Sequence, residues 1–74
     1  TTVIVAPISS RMTKNDLPTH VIIETPFLEK KSVILLEQIR TIDKKRLRDK
    51  VCHLDREILR KVERALLISL DLNT

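Results

Sequence analysis

Glycine is absent from this 74-residue sequence. A compact domain of several strands ordinarily places glycine where turns need positive φ. Here Asn15-Asp16, Pro18 and Pro26 must shape the turns, or glycine-bearing turns lie in sequence outside these residues. The lack also rules out a Gly-rich phosphate loop and with it the common nucleotide-binding motifs. Phe27 is the one aromatic residue. The core must therefore be aliphatic, and recognition of RNA by an aromatic stacking platform is disfavoured. A single cysteine, Cys52, cannot form an internal disulfide, so nothing points to an oxidising compartment and a cytoplasmic location is predicted. No apolar run approaches the length of a membrane span, and no membrane association is expected. Metal ligation is disfavoured as well. Cys52 and His53, being adjacent, point to opposite faces of a strand, and His20 is distant in sequence. No serine sits in a nucleophile-elbow context, and no cofactor is expected.

What remains is a small soluble-type composition, 42% hydrophobic and 32% charged, with a net charge of +4. The length predicts one domain over residues 1–74, of a size that buries too little surface to be comfortably stable alone. The charge is concentrated. From Asp43 to Arg64 the bases Lys44, Lys45, Arg46, Arg48, Lys50, Arg56, Arg60, Lys61 and Arg64 outnumber Asp43, Asp49, Asp55, Glu57 and Glu63. Such a segment either attracts a polyanion or an acidic protein, or is a solvated helix face with pairs such as Glu57–Lys61.

Val3 to Ile8 is a β-branched apolar run and reads as a buried strand, with Pro7 near its end or on an edge. Arg11 to Pro18 reads as a loop, Thr19 to Glu24 as a second strand, and Phe27 to Lys31 as a turn. Ser32 to Ile42 reads as one strand, buried on both faces at its start. Uninterrupted period-two geometry puts Glu37 on the side of Leu35 and Ile39, and a bulge would change that. Asp43 caps a short helical turn through Leu47, and Val51 to Leu54 reads as a brief strand. Asp55 is the N-cap of a clear amphipathic helix. Its apolar face is Ile58, Leu59, Val62, Ala65, Leu66, Ser69 and Leu70. The pattern predicts an α+β fold or a small barrel with an appended helix, completed by missing strands, an oligomeric partner, or both.

Few residues carry chemistry. Ser9 and Ser10 follow the first strand, where a rigid element would hold their hydroxyls at solvent; ordinary loop serines are the simpler reading. Glu37-Gln38 interrupts an apolar run, and a carboxylate there must be paired, hydrogen-bonded or open to a cleft. An internal pair with a residue such as Arg40 would account for it equally. His20 has the range of an acid or base near neutral pH, against the plainer reading of a structural strand histidine. Cys52 reads as a small buried apolar side chain.

Three segments occur in an order that carries a resemblance: Thr2 to Ser9 (Thr-Val-Ile-Val-Ala-Pro-Ile-Ser), Leu17 to Val21 (Leu-Pro-Thr-His-Val) and Ser32 to Leu47. The last contains the long block Leu-Leu-Glu-Gln-Ile-Arg-Thr, and the helix ending Ala65 to Leu70 follows. Over essentially the whole chain this resembles the MazF/PemK family of toxins from type II toxin–antitoxin systems, in its Gram-positive form. The resemblance implies part of an SH3-like small β-barrel (MazF/CcdB-like) with a C-terminal amphipathic helix, assembled as a homodimer. It implies metal-independent, sequence-specific cleavage of single-stranded mRNA by attack of the 2′-hydroxyl on the adjacent phosphate. It also implies a cognate antitoxin, and operator DNA bound through the antitoxin complex.

By position, the family's catalytic threonine becomes Ser9, which keeps the hydroxyl but loses the methyl that restricts its rotamer. Leu17, Ser32, Glu37 and Gln38 would line the RNA groove at the dimer interface. The segment between His20 and Ser32 is slightly shorter than in relatives. The family's catalytic arginine has no counterpart here; it belongs to a segment preceding Thr1. The expectation is thus the C-terminal portion of a MazF-like toxin, lacking the N-terminal segment and weak or inactive by itself. The alternative is a degenerate, non-enzymatic remnant that dimerises or binds an antitoxin in a DNA-bound repressor complex.

Overall fold

The computed structural model describes residues 1–11 and 17–70. The Asn15-Asp16 turn, most of the loop read from Arg11 to Pro18, and the tail from Asp71 lie outside the described residues. Among the described residues five strands precede one helix: β1 (Thr2–Val5), β2 (Ile8–Ser9), β3 (His20–Ile23), β4 (Ser32–Leu35), β5 (Arg40–Asp43) and α1 (Arg56–Ser69). The class is α+β, as the sequence predicts.

Two apolar runs that read as single strands are each broken. Val3 to Ile8 splits at Ala6-Pro7 into β1 and β2, and Ser32 to Ile42 splits into β4 and β5 around a 3-10 turn, Leu36–Gln38. The halves pair antiparallel in two separate sheets, β1 with β5 and β2 with β4, with β3 on the far side of β4. Val5 pairs with Arg40 but Ile8 with Ile34, so three steps along the first run match six along the second. The surplus of three is the turn Leu36–Gln38 itself. Proline lacks an amide donor, yet the Pro7 carbonyl accepts from the Leu35 amide over 2.9 Å at this break.

The first run is also less buried than its composition suggests. In β1 exposed and half-buried residues alternate, and Ile4 is 76% exposed. A two-stranded sheet covers one face only, so the other keeps its aliphatics in water. β4 is central in its sheet, and Ser32, Val33 and Ile34 are all buried.

The core sits where α1 packs on β3 and on the 3-10 turn. Val21, Ile23, Ile34, Leu36 and Ala65 form it, and Ile39, Leu54, Ile58, Val62 and Leu66 pack against it. Each large aliphatic buried there contributes about 1.5–3 kcal/mol. Asp55 caps α1 as expected, its carboxylate accepting from the Ile58 amide over 2.9 Å. The buried stripe of the helix is narrower than the predicted face: Leu59 and Leu70 are each 46% exposed. Asp43 caps the 3-10 turn Lys44–Arg46 by accepting from the Lys45 amide.

Val51 to Leu54 forms no strand. Leu54 alone packs on the core, Cys52 is half-buried, and His53 Nε2 accepts from Lys50 Nζ over 2.7 Å. The basic residues from Lys44 to Arg64 are exposed, and no Glu57–Lys61 pair forms. Among the described residues no helix is long and apolar enough to cross a membrane.

Candidate functional site: a groove on the three-stranded sheet

Side-chain parity along β4 separates two faces. Ile34 and Leu36 enter the core, so Val33 and Leu35 point the other way. Across the ladders Ser9 stands opposite Val33, and His20 stands opposite Leu35. These four residues form the floor of a groove of about 440 Å³, walled by Arg11 and Leu17 on one side and Glu37-Gln38 on the other. A cleft of that size falls within the range of small-ligand sites.

Four of the five residues that the resemblance nominates therefore share one groove: Ser9, Leu17, Glu37 and Gln38. Ser32 is not among them. Parity puts it on the opposite face, where it is 5% exposed and its hydroxyl donates to the Lys30 carbonyl over 2.9 Å. It lines a separate depression with Ser10, Leu28 and Lys30. Ser10, one residue beyond Ser9, is likewise turned away.

The 3-10 turn changes the setting of Glu37. The sequence puts this carboxylate inside a strand; here it is exposed on a turn whose Leu36 amide donates to the Thr19 carbonyl over 3.0 Å. Its partner is not Arg40. Thr19 Oγ1 donates to Glu37 Oε1 over 3.0 Å, and His20 Nε2 lies 3.0 Å from Oε2. Desolvation, the largest influence, pushes the carboxyl upward. The amide of Glu37, the hydrogen bonds from His20 and Thr19, and the charge of His20 together outweigh it. The net effect holds Glu37 below its ordinary value of 4.5, so it is ionised near neutral pH.

At the other end, the Ser9 hydroxyl accepts from the Arg11 amide over 3.1 Å. A hydroxyl has one proton to donate and two lone pairs. With a lone pair taken by Arg11, the hydroxyl proton has no acceptor among the described residues. Arg11 and His20 were not nominated as groove residues. The signal for Arg11 was its place two residues past Ser9; for His20 it was the alternation of β3.

The family described as "PemK-like, MazF-like toxin of type II toxin-antitoxin system" matches residues 1–70. The chain belongs to the MazF/PemK toxin family. It is 58% identical over 73 residues to Endoribonuclease EndoA of Bacillus subtilis (strain 168). The match takes in 96% of this chain and 63% of that relative, so the chain spans less than two-thirds of EndoA's length. In fold it is similar to the Mycobacterium tuberculosis toxin MazF-mt6, with a TM-score of 0.86 at 24% identity. That superposition covers 99% of this chain and 73% of MazF-mt6. Within this MazF/PemK chain, the sequence block Leu35 to Thr41 that carried the resemblance is the block that bends around the Glu37 turn.

Proposed function

We propose that these residues form the C-terminal portion of a MazF-type endoribonuclease, the toxin of a type II toxin–antitoxin pair, which cleaves single-stranded mRNA at a short sequence motif in the cytoplasm. The observation that carries the reading is the shared groove of Ser9, Leu17, Glu37 and Gln38, in a chain 58% identical to an endoribonuclease. The fold is part of an SH3-like barrel, a homodimer encloses the RNA groove, and an antitoxin neutralises it and brings it to operator DNA.

In this mechanism the RNA 2′-hydroxyl attacks the adjacent phosphorus, leaving a 2′,3′-cyclic phosphate and a 5′-hydroxyl. No metal is required. Negative charge grows on the non-bridging phosphate oxygens, where a positioned donor lowers the barrier. The Ser9 hydroxyl serves there. Glu37 and Gln38 accept from and donate to base edges, the contacts through which single-stranded RNA is read. The arginine that completes the family's chemistry has no counterpart among these residues, so they cleave weakly or not at all by themselves.

The test is incubation with single-stranded RNA in EDTA, scoring ends for cyclic phosphate. Cleavage at a fixed motif by the full-length protein, and little by the 74 residues alone, is expected. Robust motif-specific cutting by the 74 residues alone would remove the requirement for the arginine. No cutting by the full-length protein, with an antitoxin still bound, would favour the non-enzymatic alternative.

A further inference from the structure

Both nitrogens of the His20 ring are engaged. The Leu17 amide donates to Nδ1 over 3.4 Å, and Nε2 lies 3.0 Å from Glu37 Oε2. An amide can only donate, so Nδ1 is the unprotonated nitrogen and a neutral ring carries its proton on Nε2, aimed at the carboxylate. The ring thus links the two walls of the groove: Leu17 on one, Glu37 on the other. It is well held in that place. Its side chain is only 10% exposed, and the strand below it is in register with Leu35. Glu37 has less support of its own, standing on a three-residue turn with its side chain 29% exposed.

A carboxylate offers about four lone-pair directions, all of them acceptors. Thr19 takes one on Oε1, His20 one on Oε2 and the amide of Glu37 a third, which leaves acceptor capacity on a carboxylate that lines the groove. A carboxylate fixed in this way accepts from N–H donors on a base edge and offers nothing to a base that presents acceptors. Without the His20 proton, Glu37 is free to rotate about the Thr19 bond, and a rotated carboxylate no longer matches donors at a fixed spacing.

We propose that His20 is a positioning residue of the RNA groove: through Leu17 N–H···Nδ1 and Nε2–H···Oε2 it holds Glu37 as an acceptor-only reader of one base bearing N–H donors. This rests on the reading of the groove as an RNA site. His20 need not touch the RNA or exchange a proton with it.

Two near-isosteric variants divide the relay. In His20→Asn the amide oxygen replaces Nδ1 and keeps the Leu17 bond, but the side chain is too short to reach Glu37. In His20→Gln the terminal amide replaces Nε2 and keeps the donor to Glu37. The full-length protein is to be incubated with a randomised single-stranded RNA pool in EDTA, cut ends sequenced, and each variant's melting followed. The expected result is loss of about tenfold or more of the selectivity at one motif position in His20→Asn, the same position that Glu37→Ala relaxes. His20→Gln should retain that selectivity. Unchanged motifs in a folded His20→Asn, or equal relaxation in both variants, would overturn the proposal. If the wild-type protein cuts nothing, the reading of the groove has failed, and nitrogen NMR of the His20 ring decides the relay by itself. A protonated Nε2 with an unprotonated Nδ1 supports it; the opposite tautomer overturns it.

Discussion

The Ser69 hydroxyl donates to the Leu36 carbonyl over 2.7 Å, joining the last turn of α1 to the 3-10 turn that carries Glu37. Leu36 is 2% exposed, and its amide is already bound to the Thr19 carbonyl. The groove wall is therefore tied from behind to both the helix and the loop before β3. Ser69→Ala leaves the Leu36 carbonyl without this partner in a poorly solvated place. The expected loss is about 1–3 kcal/mol, the penalty for an unsatisfied buried acceptor. Urea unfolding checks it, and a change under 0.5 kcal/mol would mean that water replaces the hydroxyl.

The other end of the helix depends on Asp55. Its carboxylate satisfies the Ile58 amide, one of the donors that the first turn leaves unpaired. Asp55→Ala is expected to cost about 0.5–2 kcal/mol and Asp55→Asn much less, since asparagine caps as well. Helical ellipticity during thermal unfolding of both variants reads the difference. Equal losses would assign the effect to charge rather than to the cap.

Glu37 gives a signed pH dependence. Its folded-state pKa is lowered, so the native state holds the ionised form more firmly than the unfolded chain does. That contribution is fully present above the ordinary value of 4.5, and it is lost as pH falls through the lower folded value. Wild type should therefore lose more stability than Glu37→Gln on acidification below about pH 4.5. Parallel acid limbs in urea midpoints would show that the hydrogen bonds from Thr19 and His20 do not stabilise the charge.

These networks mark the boundary of what the sequence makes legible. Local devices were readable: the Asp55 cap, the Asp43 cap and the spacing of Ile58, Val62 and Ala65 need only a few neighbouring residues. The two broken strands were not. Val3 to Ile8 is apolar throughout, and in Ser32 to Ile42 the polar pair Glu37-Gln38 interrupts the aliphatics without saying whether the chain runs straight through it or bends there. The misreading had a consequence for the site. With period-two alternation carried unbroken through Glu37, the carboxylate falls inside a strand, with Arg40 as a candidate partner. The real partners, Thr19 and His20, come from a loop and strand that only the antiparallel pairing of β3 with β4 brings near. Ser9, Leu17, Glu37 and Gln38 were nominated by family resemblance, not by their own chemistry. Ser32 was nominated on the same ground, and the parity of β4 sets it on the other face. The strand read at Val51 to Leu54 had only Val51 as a β-branched residue, and among the described residues it pairs with no strand.

Ser9 is the residue on which the proposed chemistry turns, and two substitutions separate its hydroxyl from its freedom to rotate. Ser9 ends the short strand β2, opposite Val33, and its oxygen accepts from the Arg11 amide. Ser9→Ala removes the donor to the phosphate and leaves the Arg11 amide to water, which reaches it readily at an exposed residue. The fold should therefore be almost unaffected. Removing one donor to a developing oxyanion costs about 10²–10³ in rate where such a donor is fully engaged, and a loss of that order is expected in kcat of the full-length protein. Ser9→Thr keeps the hydroxyl and restricts its χ1 through the added methyl. Strands accommodate β-branched residues well, so this variant should cleave at least as fast as wild type, with an unchanged motif. Single-turnover cleavage of one RNA oligonucleotide that contains the motif measures all three proteins. If Ser9→Ala retained full activity, the hydroxyl would have no part in charge stabilisation, and the role would pass to the backbone amides and cations around the groove. If Ser9→Thr were as slow as Ser9→Ala, the methyl would obstruct the phosphate, and this chain's serine would be a requirement of its groove rather than a tolerated replacement.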